Sequence, residues 1–76
     1  MDYICKYCEY KGPREDFEGD HEPPNARLQT VLDLLSQKVQ LICSGCNRQK
    51  GEKTDLEYRR WRFFNPTMAN YGPIRL

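Results

Sequence analysis

Four cysteines and one histidine carry most of the chemistry that this 76-residue chain can offer. Cys5 and Cys8 form one Cys-x-x-Cys pair, Cys43 and Cys46 form a second, and 34 residues separate them. Two such pairs can close two disulfides, or they can supply the four thiolates of one tetrahedral zinc, each pair donating both sulfurs from one tight turn. Identical spacing in the two pairs favours the metal. A site closed by four thiolates leaves no coordination position for a substrate, so a zinc held this way stabilises a fold and does no chemistry itself. His21, the single histidine, follows Asp20, and Asn47 follows Cys46 directly. Taken singly, each of these polar residues reads as a solvated surface group. Their order around the cysteine pairs, with Lys50-Gly51 close behind, is what gives them weight.

The elements that must position these groups can be read from turns and periodicity. Lys11-Gly12-Pro13 supplies the turn chemistry that closes a first knuckle around Cys5 and Cys8. Residues 16–22 read as a short strand, ended by Pro23-Pro24 because proline lacks a donor and constrains its predecessor. Asn25 is placed to cap a helix over 26–37, in which Leu28, Val31, Leu32 and Leu35 recur at spacings of three and four as a core-facing stripe. Val39-Gln40-Leu41-Ile42 then runs as a second strand into Cys43, able to pair with the first across the helical excursion. A short polar helix from Cys46 stops at Gly51. Thr54 and Glu57 form a capping box for a last helix, which Leu56, Tyr58, Trp61, Phe63 and Phe64 carry to Asn65-Pro66. Trp61 and Phe64, three apart, read as core. The stretch from Thr67 to Leu76 shows little periodicity, so the chain divides into a zinc-stapled domain over 1–64 and a loosely packed tail over 65–76.

With 38% hydrophobic and 30% charged residues, the chain is one domain too small to hold itself together on its core alone. It requires a staple. No apolar run approaches the roughly 20 residues of a membrane span, and Met1-Asp2-Tyr3-Ile4 opens no secretory h-region. The expectation is a soluble cytoplasmic protein, in which thiolate metal sites are common and disulfides are not. Residues 1–24 carry three basic and seven acidic side chains, and residues 25–76 nine and four, for nets of −4 and +5. A polyanion should therefore meet the second half, with Arg48, Lys50, Arg59, Arg60 and Arg62 as candidate contacts.

Cys5-Lys6-Tyr7-Cys8, Glu18-Gly19-Asp20-His21 and the run from Val39 through Cys43-Ser44-Gly45-Cys46-Asn47-Arg48-Gln49-Lys50-Gly51 together resemble the HNH endonucleases of the ββα-metal class, in the branch with two zinc knuckles. The resemblance spans roughly residues 5 to 55. It implies a small α+β, ββα-metal fold with a structural zinc on the four cysteines and additional helices. It also implies DNA cleavage, nicking or double-stranded, with His21 as general base and Asp20 and Asn47 holding a catalytic Mg²⁺ or Mn²⁺, and products ending in 5′-phosphate and 3′-hydroxyl. Chemistry agrees with those roles: an imidazole can take a proton from water near neutral pH, and carboxylate and amide oxygens suit a hard cation. Arg48 and Lys50 would face the phosphate. Compact chains of this type resemble phage or mobile-element nucleases, which leaves a homodimer or a phage or host protein open as a further partner. The sequence departs from the family where Lys38 stands in place of an asparagine at the start of the second strand. A rival reading follows, an idle HNH-like zinc module that binds nucleic acid or protein; Lys38 favours it, and the intact Asp20, His21 and Asn47 oppose it.

Overall fold

The computed structural model describes residues 2–73. Two short antiparallel sheets and three α-helices make a small mixed α/β domain around a four-cysteine cluster, a ββα-metal-like arrangement. The first sheet pairs β1 (Tyr3–Ile4) with β2 (Lys11–Gly12), and the knuckle of Cys5 and Cys8 forms the turn between them. Two backbone bonds of 2.8 Å, from Cys5 N–H to the Tyr10 carbonyl and from Glu9 N–H to the Cys5 carbonyl, hold that turn shut.

The second sheet positions the polar residues. β3 (Phe17–Glu22) runs antiparallel to β4 (Lys38–Cys43), with Asp20 opposite Gln40 and His21 opposite Val39. Pro23-Pro24 ends β3 as expected, and the Glu22–Pro23 peptide is cis. β4 passes directly into α2 (Ser44–Lys50), whose N-cap is Cys43 and which stops at Gly51 with φ 54°. That left-handed φ is costly for any residue with a Cβ, so glycine suits the position. α3 (Asp55–Phe64) starts at the Thr54/Glu57 capping box read from the sequence.

Phe17, Ile42, Tyr58 and the cysteines Cys5, Cys43 and Cys46 form the buried core, with Tyr3, Tyr7, Tyr10 and Trp61 packed around it. Trp61 lies parallel to Tyr58 at 6.1 Å. Phe64, also read as core, is exposed, because α3 buries only the Tyr58–Trp61 side of its surface.

Between β3 and β4 the structure differs from the sequence expectation. The single helix over 26–37 is replaced by a 3-10 turn (Asn25–Arg27) and a six-residue α1 (Val31–Ser36). Thr30, not Asn25, is the α-helical N-cap: its hydroxyl accepts from Asp33 N–H while the Asp33 carboxylate accepts from Thr30 N–H. A reciprocal cap of this kind starts a helix where it sits, whatever the apolar pattern upstream. Nor is the stripe core, since Val31, Leu32 and Leu35 are 72–76% exposed.

The segment after α3 is also corrected. Its lack of periodicity predicts loose packing, yet Asn70 and Gly72 reach the cysteine cluster. The final residues of that expected tail, 74–76, lie outside the described residues. Among the described residues, no helix is long and apolar enough to cross a membrane.

Candidate metal centre and active-site cleft

The Sγ atoms of Cys5, Cys8, Cys43 and Cys46 all lie within 4.8 Å of one another, and none of the four is in a disulfide. A tetrahedral zinc with bonds of about 2.3 Å would hold its sulfurs about 3.8 Å apart, so the cluster has the size and donor set of a structural zinc site. Without an ion the neighbouring sulfurs compete for protons. Hydrogen bonds with Cys43 and Cys46 hold the Cys5 thiol well below the ordinary thiol range. Hydrogen bonds with Cys46 and Cys5, reinforced by burial, push Cys43 far above it. Four thiolates in this space need a cation to neutralise them.

Donors from three parts of the chain surround the sulfurs. Cys46 N–H meets Cys43 Sγ at 3.4 Å, Gly72 N–H meets Cys8 Sγ at 3.3 Å, and Asn70 Nδ2 meets Cys43 Sγ at 3.6 Å. Arg62 adds a positive group 3.7 Å from Cys46 Sγ and holds the Asn70 carbonyl at 2.8 Å. Such surroundings orient thiolates and disperse their charge. Gly45 permits the close approach, since a Cβ there would collide with the Asn70 side chain and the Gly72 carbonyl. No period or spacing in the sequence links 70–72 to the cysteines; only the glycine within Cys-Ser-Gly-Cys hints that something passes close by.

A cleft of about 160 Å³ lies where β3 meets the end of α2, lined by Asp20, His21, Asn47, Gly51, Pro24 and Asn25 among others. The three polar residues singled out from the sequence therefore share one cleft. Strand alternation nevertheless sends neighbours to opposite faces. Asp20 is 5% exposed beneath α2, whereas His21 is exposed and its imidazole makes no hydrogen bond or ion pair among the described residues. Asn47 donates from Nδ2 to Glu18 Oε1 at 3.0 Å, which turns its amide oxygen away from that carboxylate. Arg48, its neighbour, is exposed.

Lys50 is not where a phosphate contact would be. Its side chain is fully buried, with Nζ 3.1 Å from Asp20 Oδ1 and 3.4 Å from Glu22 Oε2. The helical spacing from Asn47 carries Lys50 onto the face packed on β3, where two carboxylates compensate the buried charge that solvent would otherwise have to stabilise. Gln40, not singled out from the sequence, completes the clamp: its Nε2 donates to Asp20 Oδ2 at 2.6 Å. The same Nε2 lies 3.2 Å from the Tyr7 hydroxyl, and Tyr7 donates to Asp55 Oδ1 at 2.7 Å. Burial, then the Asp55 carboxylate, pushes the Tyr7 phenol up, so it remains a donor. A continuous polar chain thus runs from the knuckle to the cleft, and the register of Gln40 opposite Asp20 was the one feature that could have exposed it.

Asp20, Asn47 and Glu18 offer carboxylate and amide oxygens, the donor set of a hard divalent cation. Both Asp20 oxygens are engaged, Oδ1 by the Lys50 ammonium and Oδ2 by the Gln40 amide. A family model described as HNH endonuclease matches residues 5–53. No curated protein and no solved structure matches the chain.

Proposed function

The chain belongs to the HNH endonuclease family, and from that premise we propose that it is a zinc-stapled, metal-dependent DNA endonuclease whose reaction takes place in the Asp20–His21–Asn47 cleft. The observation that carries the reading is that Asp20, His21 and Asn47 all line one cleft beside a four-cysteine cluster.

His21 is the general base. Its imidazole is exposed and uncommitted, so one ring nitrogen can take a proton from a water molecule as that water attacks phosphorus. The bond from phosphorus to the 3′ oxygen breaks and that oxygen takes a proton from solvent water, leaving a 5′-phosphate and a 3′-hydroxyl. Asp20 and Asn47 would hold Mg²⁺ or Mn²⁺, which supplies charge neutralisation at the phosphate and the departing oxygen. Lys50 and Gln40 act one step back: they fix the Asp20 carboxylate and keep its charge compensated in a buried setting. Arg48, exposed beside Asn47, is the candidate for a flanking phosphate. The cysteine cluster does no chemistry; it fixes the N-terminus of α2 and so the place of Asn47.

The test is incubation of supercoiled plasmid with the zinc-loaded protein, with and without Mg²⁺ or Mn²⁺. Relaxed circles that DNA ligase reseals are expected, since sealing requires a 5′-phosphate beside a 3′-hydroxyl. Plasmid left intact at every metal concentration would return the chain to the binding-module reading.

A further inference from the structure

Apart from the cleft, a larger cavity of about 310 Å³ opens between the first knuckle, the second half of α3 and the segment that follows it. Tyr7, Phe63 and Tyr71 contribute three aromatic rings to its lining, and Arg59 and Arg62 two guanidinium groups. The volume lies at the lower end of the roughly 300–1,000 Å³ typical of small-ligand sites. Phe63 and Tyr71 are 78% and 71% exposed, an arrangement that a stable core would not leave in place. Arg62 is committed, holding Cys46 Sγ and the Asn70 carbonyl while lying 5.2 Å from the centre of the Tyr71 ring. Arg59 is half exposed and bonds Asp55 through Nε at 3.0 Å; among the described residues, its terminal nitrogens have no hydrogen-bond partner. Residues 58–73 contain three arginines and no acidic side chain.

We propose that this cavity binds an unpaired stretch of the nucleic acid that the cleft cuts, with a base stacked on Phe63 and Tyr71 and an adjoining phosphate on Arg59. The inference rests on the nuclease reading above. Aromatic faces set among cations, in a lining that includes no carboxylate, suit single strands of any sequence, because every base has a π-face and every nucleotide a phosphate. A duplex keeps its bases stacked inside and has no use for the rings. An acidic peptide would match the arginines but leave the aromatic faces without a planar partner. Tyr7 lines the cavity, and its hydroxyl is joined to the cleft residue Asp20 through Gln40 by contacts of 3.2 and 2.6 Å.

The experiment is fluorescence anisotropy of a labelled ten-nucleotide oligothymidylate with the full zinc-loaded chain and no added Mg²⁺. Phe63→Leu and Tyr71→Leu keep apolar bulk at exposed positions, and each is expected to weaken binding about ten-fold. Arg59→Gln should reduce the steepness with which salt weakens binding. Unchanged oligothymidylate affinity in both leucine variants, with zinc content and melting temperature retained, would overturn the inference. So would poly-glutamate that competes as well as oligothymidylate at equal charge, which would assign the cavity to a protein partner. Plasmid cleavage in the same preparations separates the two readings. Cleavage by the parent together with unaltered strand binding in the leucine variants rejects this site and leaves the nuclease intact. Ring-dependent strand binding by a chain that cuts nothing supports the site and rejects the nuclease.

Discussion

The cysteine cluster and the segment from Pro24 to Gln37 differ in where their contacts come from. Around the sulfurs, residues from the first knuckle, from the start of α2 and from Asn70 and Gly72 converge, although up to 64 positions separate partners such as Cys8 and Gly72. The segment holding α1 is tied mostly to itself: Thr30 to Asp33, and Gln37 to the Pro23 carbonyl and Asn25. Among the described residues its one long-range ion pair, Arg27 with Glu57, is exposed at both ends and worth little. Stability therefore concentrates where sequence-distant parts meet, and the excursion between the strands is a local structure attached to a rigid base.

Four variants probe that difference, and they should rank in order. Cys46→Ser should be the most severe. It removes a thiolate around which Arg62 and Asn70 are arranged, so zinc content, the cooperative thermal transition and activity should be lost together. Lys50→Met comes next, because it leaves Asp20 buried without its cation. A cost of about 3–5 kcal/mol is expected in urea unfolding, and pairing it with Asp20→Leu should recover much of that loss. A Lys50→Met protein as stable as the parent would show that the clamp contributes nothing to the fold.

Asp55→Asn should be milder. Burial would raise the Asp55 carboxyl, but hydrogen bonds from Tyr7, Lys6 and Arg59 outweigh it and hold the group at about 2. A carboxylate depressed in the folded state stabilises above its unfolded value near 3.8 and loses that contribution as pH falls through about 2. At pH 7 the contribution is fully present, so the variant should lose about 1 kcal/mol in denaturant titrations there. The acid side of the profile will report cysteine protonation and zinc release before it reports Asp55. Least of all, Leu32→Ser with Leu35→Ser should change stability by no more than about 0.5 kcal/mol, since both side chains already face solvent. A loss of several kcal/mol in that double variant would mean that α1 is covered in solution, by a second copy or another partner.

How much of this was legible in the sequence follows the same division. Local signals were read correctly: Pro23-Pro24 after β3, Gly51 after α2 and Thr54 with Glu57 before α3 each act through their immediate neighbours. The four cysteines announced their own cluster because metal ligation fixes both residue type and spacing. Misreadings arose where a periodic pattern was given a tertiary meaning. Val31, Leu32 and Leu35 have the spacing of a core stripe, yet the Thr30/Asp33 cap shortens the helix and nothing among the described residues covers it. Lys50 looked like a phosphate contact because lysine is usually solvated, whereas Asp20 and Glu22 on the facing strand draw it inward. The Asn70–Gly72 contacts have no sequence signature, because they use a backbone N–H and a single amide.

The catalytic role of His21 is the point at which the account is most exposed. Its side chain is solvent-facing and has no structural partner among the described residues, so His21→Ala should leave zinc content and melting temperature unchanged. The decisive measurement is the initial rate of supercoiled-plasmid relaxation at neutral pH in saturating Mg²⁺, parent against His21→Ala, with zinc and circular dichroism checked on both. A fall of about 10²-fold or more is predicted for loss of a general base, with the variant remaining folded and able to bind DNA. A His21→Ala protein that relaxes plasmid as fast as the parent would contradict the mechanism.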